Sequence, residues 1–385
     1  MTAPGDQTRR RSTRDELFDL IREHGQVTRP GLATLSGIPR STVNQSLEQL
    51  FREGRIVEIE AESKRPGSGR GRPATVVRAV AAGAAVAAID FGHRHVNVAI
   101  GDAFGEPTDV ESVALDVDLQ AQESLDLAAS MLALLRERHQ VSELSAVVAG
   151  IPGPLDLQSG RVCSPTILSG WVGLAPAEEL ERRIGTPVHV ENDALLGAYG
   201  ELMRGAGRGY RDFLYVKASH GIGAGLVVGG QPYRGGTGLA GEIGHTLLAG
   251  RSELCRCGNR GCLEAVVSVP GVRAQIAHTR PGSDPDAVDL EQLGSDPIAA
   301  RVLTGAGRIL GQALADLVNL LNPTAVVIGG ELGSTDGPFV DGVRESIRQH
   351  AQPATADAVD VVPALLRNRA ELTGALQLAA VTAAR

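Results

Sequence analysis

Gly241-Glu242-Ile243-Gly244-His245 and, after nine further residues, Cys255-Arg256-Cys257-Gly258-Asn259-Arg260-Gly261-Cys262-Leu263-Glu264 make up the stretch on which the reading of this chain turns. Three thiols and an imidazole in so short a window suit a tetrahedral soft-metal site, and Zn²⁺ in particular. A shell of four protein ligands leaves no position open for water, so His245, Cys255, Cys257 and Cys262 are expected to hold a structural zinc ion, not a catalytic one. Glu242 precedes the histidine by three residues and Glu264 follows the last cysteine by two. Neither carboxylate is needed to complete the metal shell.

Three of the four cysteines lie in that one window of a 385-residue chain. A disulfide framework would spread its bridges through a small secreted domain, so a reducing, cytoplasmic location is expected. The chain is long enough for two or three domains, and 43% hydrophobic with 21% charged residues is the balance of a globular protein with a core. Met1-Thr2-Ala3-Pro4-Gly5 is followed by polar and basic residues with no apolar signal segment, and no apolar run approaches the roughly 18 residues of a membrane span. No contact with a membrane is expected. The net charge of −8 conceals an asymmetry. Residues 1 to 80 hold 14 Lys and Arg against 10 Asp and Glu, net +4; of the chain's 37 and 45 this leaves 23 against 35, net −12. A basic head on an acidic body points to a polyanion partner for the head alone.

Within that head, Leu17, Leu20 and Ile21 give Thr13 to His24 the spacing of a helix that buries one face, and Gly25 ends it. A second helix is expected over Arg29 to Ser36, a turn at Gly37-Ile38-Pro39, and a third helix from Arg40 or Ser41 through Val43, Leu47, Leu50 and Phe51 to Gly54. This is the order of a helix-turn-helix. With the apolar positions inward, Arg40, Ser41, Thr42, Asn44, Gln45 and Gln49 face out, types that bond phosphates and base edges, and Arg29 joins them as a candidate DNA contact. Arg55 to Ile59 and Ala74 to Val77 alternate like strands and would close a wing. Its tip carries Lys64, Arg65, Arg70 and Arg72 without an acid, and Arg70-Gly71-Arg72-Pro73 resembles the core of an AT-hook, whose arginines enter the minor groove. The expected winged helix-turn-helix therefore spans residues 13–78, behind a disordered basic tail at 1–12 that includes Arg9-Arg10-Arg11.

From Ala79 the composition shifts to Ala, Val and Gly. Apolar runs at Ala84 to Ile89, Val96 to Ile100, Ala146 to Ala149, Phe213 to Val216 and Ala325 to Ile328 alternate with helical patterns, which predicts an α/β fold with buried strands. The runs end in glycine or acid, and ligands of such folds bind beyond the carboxyl ends of strands.

The order Asp90-x-Gly92, Gly150-Ile151-Pro152-Gly153-Pro154, Glu191-Asn192-Asp193-Ala194, Gly241 to His245, Cys255 to Glu264 and Gly329-Gly330 resembles the ROK family of repressors, open reading frames and sugar kinases. The resemblance covers residues 80 to 385, and the N-terminal module resembles that of the family's repressor branch. It implies a two-lobed actin-like (ribonuclease H-like) sugar-kinase-type domain at 79–385, with a smaller lobe at about 79–194 plus the C-terminal helix and a larger lobe at about 195–370. It also implies that Asn192, Asp193, Glu242, His245 and Glu264 contact sugar hydroxyls, that Gly153 and Thr166 line the same pocket, and that the protein is a homodimer or dimer of dimers. Taken without the resemblance, Asn192-Asp193 reads as a turn or helix cap.

Asp193 also matches the family's catalytic base. Phosphoryl transfer depends on loops that position phosphate, and these depart from the kinase pattern. Where kinases resemble Asp-x-Gly-Gly-Thr the chain has Asp90-Phe91-Gly92-His93-Arg94, and where they resemble Gly-Thr-Gly it has Ser219-His220-Gly221. The expectation is a sugar-responsive transcriptional repressor without enzyme activity, with Asp193 a vestigial base, a double-stranded DNA operator and a small sugar effector as partners. The alternative is an active ATP-dependent sugar kinase with a regulatory DNA-binding head.

Overall fold

The computed structural model describes residues 13–25, 27–52, 55–60, 75–79, 85–156, 159–163, 166–280, 282–290, 296–333 and 337–383. The chain divides between Gly83 and Ala84 into two compact units. In the first, helices α1 (Thr13–His24), α2 (Arg29–Ser36) and α3 (Arg40–Arg52) pack through Leu17, Ile21, Leu32, Val43, Leu47 and Leu50, all fully buried or nearly so. Thr28 caps α2 by accepting from the Gly31 amide at 3.1 Å, and Gly37, at φ 67°, ends it in the left-handed conformation that turns the chain into α3. Strands β1 (Ile56–Glu60) and β2 (Thr75–Ala79) pair antiparallel, each starting one residue further along than the alternation suggested, with β2 ending two residues later. Val27, between α1 and α2, exchanges backbone hydrogen bonds of 3.1 and 2.8 Å with Val77 and so fastens the strand pair to the helices. The expected tail at 1–12 and the wing tip lie outside the described residues.

The second unit contains two five-stranded sheets. The first is built from β3 (Ala85–Phe91), β4 (His95–Gly101), β5 (Pro107–Ala114), β6 (Leu144–Ile151) and β7 (Val188–Asn192), in the order β5-β4-β3-β6-β7. The second uses β8 (Phe213–Ala218), β9 (Ile222–Val228), β10 (Gln231–Tyr233), β11 (Ala325–Gly329) and β12 (Asp360–Pro363), in the order β10-β9-β8-β11-β12. In each, the first three strands form an antiparallel meander, the fourth joins the first in parallel and the fifth joins the fourth in parallel, so the two sheets share one topology.

Helices α4 (Ala121–Arg138) and α5 (Pro176–Ile184) cover the outer face of the first sheet, where Trp171 is fully buried, edge-on to Phe91 at 5.1 Å and donating from Nε1 to Val117 O at 2.7 Å. Helix α6 (Asp193–Arg204) leaves the end of β7 and packs on β8 and β9. Helices α7 (Leu263–Val267), α8 (Val269–His278), α9 (Pro297–Leu321), α10 (Gly330–Gly333), α11 (Pro338–His350) and α12 (Pro353–Ala358) accompany the second sheet, with α7, α8, α9 and α11 supplying most of its large core. Helix α13 (Ala370–Ala383) returns to pack on β3 and β6 and crosses α6. At that crossing the backbones touch: a Cβ on Gly374 would stand 1.9 Å from Leu196 O, and one on Gly200 2.2 Å from Ala370 O. No helix among the described residues is long and apolar enough to cross a membrane.

Candidate functional site

The metal cluster is assembled by a loop folded back on itself. Leu247 bridges Cys262 and Leu254 bridges Arg260 in antiparallel fashion, while the Gly258 amide returns to Cys255 O at 3.0 Å and makes a tight turn between the thiols. The four ligand atoms of His245, Cys255, Cys257 and Cys262 all lie within 4.8 Å of one another. Cys257 and Cys262 Sγ are 3.7 Å apart, as are Cys255 Sγ and His245 Nδ1. A tetrahedron with metal–sulfur bonds of about 2.3 Å has edges of about 3.8 Å, and a disulfide would need about 2.05 Å, so the spacing fits a shared cation and not a bridge. Burial, followed by its thiol neighbours, pushes Cys262 up to about 12, and burial lifts Cys255 as well. Cys257 shifts the other way: burial would raise it, but the Asn259 amide and its thiol neighbours lower it, and a metal cation would favour the thiolate at all three positions. The donor set thus suits a metal ion.

Beside the cluster, a cleft of about 350 Å³ opens at the carboxyl ends of the strands of both sheets, a size suited to a small molecule. Gly153, Asn192, Asp193, Glu242, His245 and Glu264 line it. Thr166 does not: it is exposed, and the adjoining Ile167 faces the cleft instead. The register of the first sheet explains part of the convergence, since Asp90 lies opposite Gly150 and Gly150 opposite Glu191, which brings three strand ends level. Asn192 is both cap and lining residue. Its Oδ1 accepts from the Leu195 amide at 3.1 Å to start α6, and Asp193 Oδ1 accepts from the Ala194 amide at 2.7 Å. Gly241 has φ 102°, and a Cβ there would fall 1.9 Å from Ala224 O; one at Gly244 would fall 2.3 Å from Ile222 O. Two glycines therefore lay the loop backbone directly on β9 and set the positions of Glu242 and His245. His245 turns Nδ1 to the thiols, while Nε2 lies 3.9 Å from Glu242 Oε2. Glu264, buried at the start of α7, accepts from the Ile222 amide at 3.1 Å.

Opposite these acceptors stands a group that sequence reasoning met only in part. The rings of His93 and His220 lie 4.8 Å apart, His93 Nδ1 is 2.6 Å from Asp118 Oδ1, and Arg256 Nη1 donates to Asp118 Oδ2 at 2.9 Å. Arg256 sits between two metal-cluster cysteines, so the chain of contacts runs from the cluster to the histidine that departs from the kinase loop. Burial pushes His220 down to about 4, with the charges of His93 and Arg256 adding to the effect; it is a neutral imidazole at pH 7. Asp118, in the connection after β5, carries no local motif, and nothing in the sequence pairs it with residues 25 and 138 positions away.

Lys217 was also missed. Its Nζ donates to Asp193 Oδ2 at 2.8 Å and stands 3.4 Å from Glu371 Oε1. The signal was present, because a lone charge closes the apolar strand Phe213-Leu214-Tyr215-Val216-Lys217-Ala218. Asp90 Oδ2 accepts from His95 Nε2 at 3.1 Å and Asn97 Nδ2 at 3.0 Å. Burial would raise Asp90, but His95 and Lys217 outweigh it and hold the carboxyl below its usual range.

In the first unit, Arg40, Ser41, Thr42, Asn44, Gln45 and Gln49 are exposed along α3. Arg29 is engaged internally: Nε donates to Glu58 Oε1 at 2.7 Å, Nη1 to Asn44 Oδ1 at 3.4 Å, and the guanidinium lies 5.5 Å from the Phe51 ring centre. Lys64, Arg65, Arg70 and Arg72 lie outside the described residues.

A family model described as "ROK family" matches residues 86–381. The DNA-binding transcriptional repressor Mlc of Escherichia coli (strain K12) is 27% identical over 378 residues, covering 93% of this chain and 90% of Mlc. The xylose repressor of Bacillus subtilis (strain 168) is 27% identical over 366 residues, covering 93% and 92%. Among solved structures, a ROK family glucokinase from Streptomyces griseus in complex with glucose and AMPPNP superposes with a TM-score of 0.69 at 27% identity, covering 77% of this chain and 99% of the glucokinase.

Proposed function

The chain belongs to the ROK family, on its transcriptional-repressor branch, and from that premise we propose that it is a sugar-responsive DNA-binding repressor without kinase activity, zinc-loaded at His245, Cys255, Cys257 and Cys262. The observation that carries the choice is the His93–His220 pair, held by Asp118 and Arg256, at the two loops where the kinase pattern has glycine and threonine. Phosphoryl transfer needs those loops to wrap a nucleotide's phosphates closely. Two imidazoles and an ion pair fill that space, while the hydroxyl-accepting side of the cleft keeps Asn192, Asp193, Glu242, His245 and Glu264. Carboxylates and an amide at fixed positions select a sugar by the geometry of its hydroxyls, with Gly153 allowing close approach and Thr166 acting at most from the rim. Bound zinc fixes the loop that carries His245 and flanks Glu242 and Glu264.

The first unit supplies the DNA-binding half of the proposal. Its three helices and strand pair have the order of a winged helix-turn-helix, the similarity to Mlc runs through 93% of the chain, and α3 exposes the polar side suited to a major groove. Arg40, Ser41, Thr42 and Gln45 are the base or phosphate contacts; Arg29 and Asn44 reach DNA only by giving up their partners within the unit, and the cations at 64, 65, 70 and 72 add minor-groove or phosphate contacts. Two heads in a homodimer or dimer of dimers read an operator, and sugar alters their affinity by favouring one arrangement of the protein over another. Arg40→Ala should weaken binding across DNA sequences and lower the salt-dependence slope by about 1, as read by fluorescence anisotropy at several ionic strengths.

The direct test uses duplexes selected from a random library and a panel of monosaccharides, N-acetylated sugars and sugar phosphates. At least one sugar is expected to shift the DNA dissociation constant. Trp171, the only tryptophan, is buried near the cleft-lining Ile167 and gives a second readout of sugar binding. A coupled assay with ATP and each sugar should show no turnover; sustained phosphorylation that disappears in Asp193→Asn would replace the sensor with a kinase.

A further inference from the structure

Asp90 and Lys217 occupy equivalent places in the two sheets. Each lies near the end of the first strand of its meander and opposite a glycine of the first parallel neighbour, Asp90 facing Gly150 and Lys217 facing Gly329. One half of the fold therefore presents an acid where the other presents a base. The Lys217 side chain, 15% exposed where it borders the cleft, brings its ammonium into contact with Asp193 at the start of α6 and Glu371 at the start of α13 at 2.8 and 3.4 Å. Tyr215, two residues earlier on β8, donates from its hydroxyl to Glu371 at 3.1 Å. Asp90 and Asp193 pack on the same side of Gly150, where a Cβ would lie 3.9 Å from Asp90 Oδ1 and 3.8 Å from Asp193 Cα, so the charge of Asp90 also acts on the lysine, and its buried Oδ1 has no hydrogen-bond partner among the described residues. Three carboxylates from β3, α6 and α13 thus gather around one ammonium from β8. Without a positive charge, carboxylates packed this closely in a buried place could not all stay ionised.

We propose that Lys217 is a tethered cation that occupies, among Asp90, Asp193 and Glu371, the place a divalent ion would otherwise take, and that it fixes Asp193 as a sugar-hydroxyl acceptor. The second part rests on the sugar-site reading above. With one Asp193 oxygen held by Lys217 and the other by the Ala194 amide, the carboxylate has a single orientation when a ligand arrives. A hydroxyl then meets a preset acceptor, and the lysine, not a metal ion carried in with a nucleotide, supplies the local positive charge. Lys217 is thereby a positioning residue of the pocket.

The test replaces Lys217 with methionine, of similar length and without charge, in zinc-replete full-length protein. The variant should melt at a lower temperature than wild type, and Mn²⁺ should restore the melting temperature while binding at one ion per chain by electron paramagnetic resonance. Wild type should neither bind that ion nor gain stability from it. Sugar affinity, followed by Trp171 fluorescence, should fall at least about tenfold in the variant and recover in part with Mn²⁺. Unchanged melting together with no Mn²⁺ uptake overturns the proposal. If Lys217→Met does not accumulate as folded protein, the double variant Lys217→Met/Glu371→Gln removes one negative charge with the positive one; it should be more stable than the single variant and bind Mn²⁺ more weakly, and equal behaviour of the two would again overturn the idea. Mn²⁺ rescue in a protein that binds no sugar, wild type included, would uphold the tethered cation and sink the sugar reading alone.

Discussion

Cys257→Ser should lower zinc content from one ion per chain to near zero and, in the same protein, lower sugar affinity by about a hundredfold or more. The reason is how little else holds the loop. Of its large apolar side chains, Leu247 and Leu254 are 64% and 66% exposed and only Leu248 packs, half-buried, against the core, so the loop buries little core of its own. Its order comes from a few backbone bridges and the four converging ligands. Structural zinc in small peptides contributes on the order of 10–16 kcal/mol of apparent binding energy, which is folding energy for the segment that binds it. Once the shell opens, His245 is released, Glu242 and Glu264 lose their fixed flank, and Arg256 no longer holds Asp118 against His93. Metal analysis together with a fluorescence titration checks this, and an undiminished sugar response in zinc-free protein would show that the two features are independent.

Leu47→Ala should abolish DNA binding and leave the sugar site as it was. Leu47 is fully buried in α3, in a unit whose helices also bury Leu17, Ile21, Leu32 and Leu50 completely. Removing a leucine from such a position costs about 2–5 kcal/mol, comparable to the whole stability of a domain this small. The sugar-binding constant should stay within about twofold of wild type, since Leu47 and the cleft belong to different compact units. Calorimetry should lose its first-unit transition, and anisotropy should find no specific complex. A folded, DNA-competent Leu47→Ala protein would mean that this core contributes far less than its burial implies.

The parts of the fold legible in the sequence were those set by local pattern. Helix boundaries in the first unit followed from Leu17, Ile21, Val43, Leu47 and the glycine at 37, and the buried strands from apolar runs. The metal cluster was readable because its ligands lie close along the chain. Strand ends in the first unit were off by one or two residues because alternation fixes which face a side chain takes, not where pairing begins. What escaped was long-range charge pairing. Asp118 meets His93 and Arg256, and Glu371 meets Lys217 and Tyr215, across more than a hundred residues in all but one of these pairs, and no spacing rule reaches that far. Asn192 shows the opposite case, where the local reading as a helix cap and the family-derived reading as pocket lining are satisfied by one side chain at once. Thr166 came by resemblance alone, and the chain brings Ile167 to the cleft in its place.

The crossing of α6 and α13 has a mechanical meaning. Gly200 and Gly374 let the two backbones touch, so no cushion of side chains lies between the helix that carries Asp193 and the one that carries Glu371. Side-chain layers are what allow packed helices to slide by small rotamer adjustments. A contact of bare backbone leaves rotation about the crossing as the easier motion, in the manner of a journal turning in its bearing. A methyl group at either glycine would act as grit in that bearing: standing 1.9 or 2.2 Å from a backbone carbonyl it must part the helices, and its effect should be felt both in how far a ligand can swing one sheet against the other and in where Asp193 and Glu371 stand.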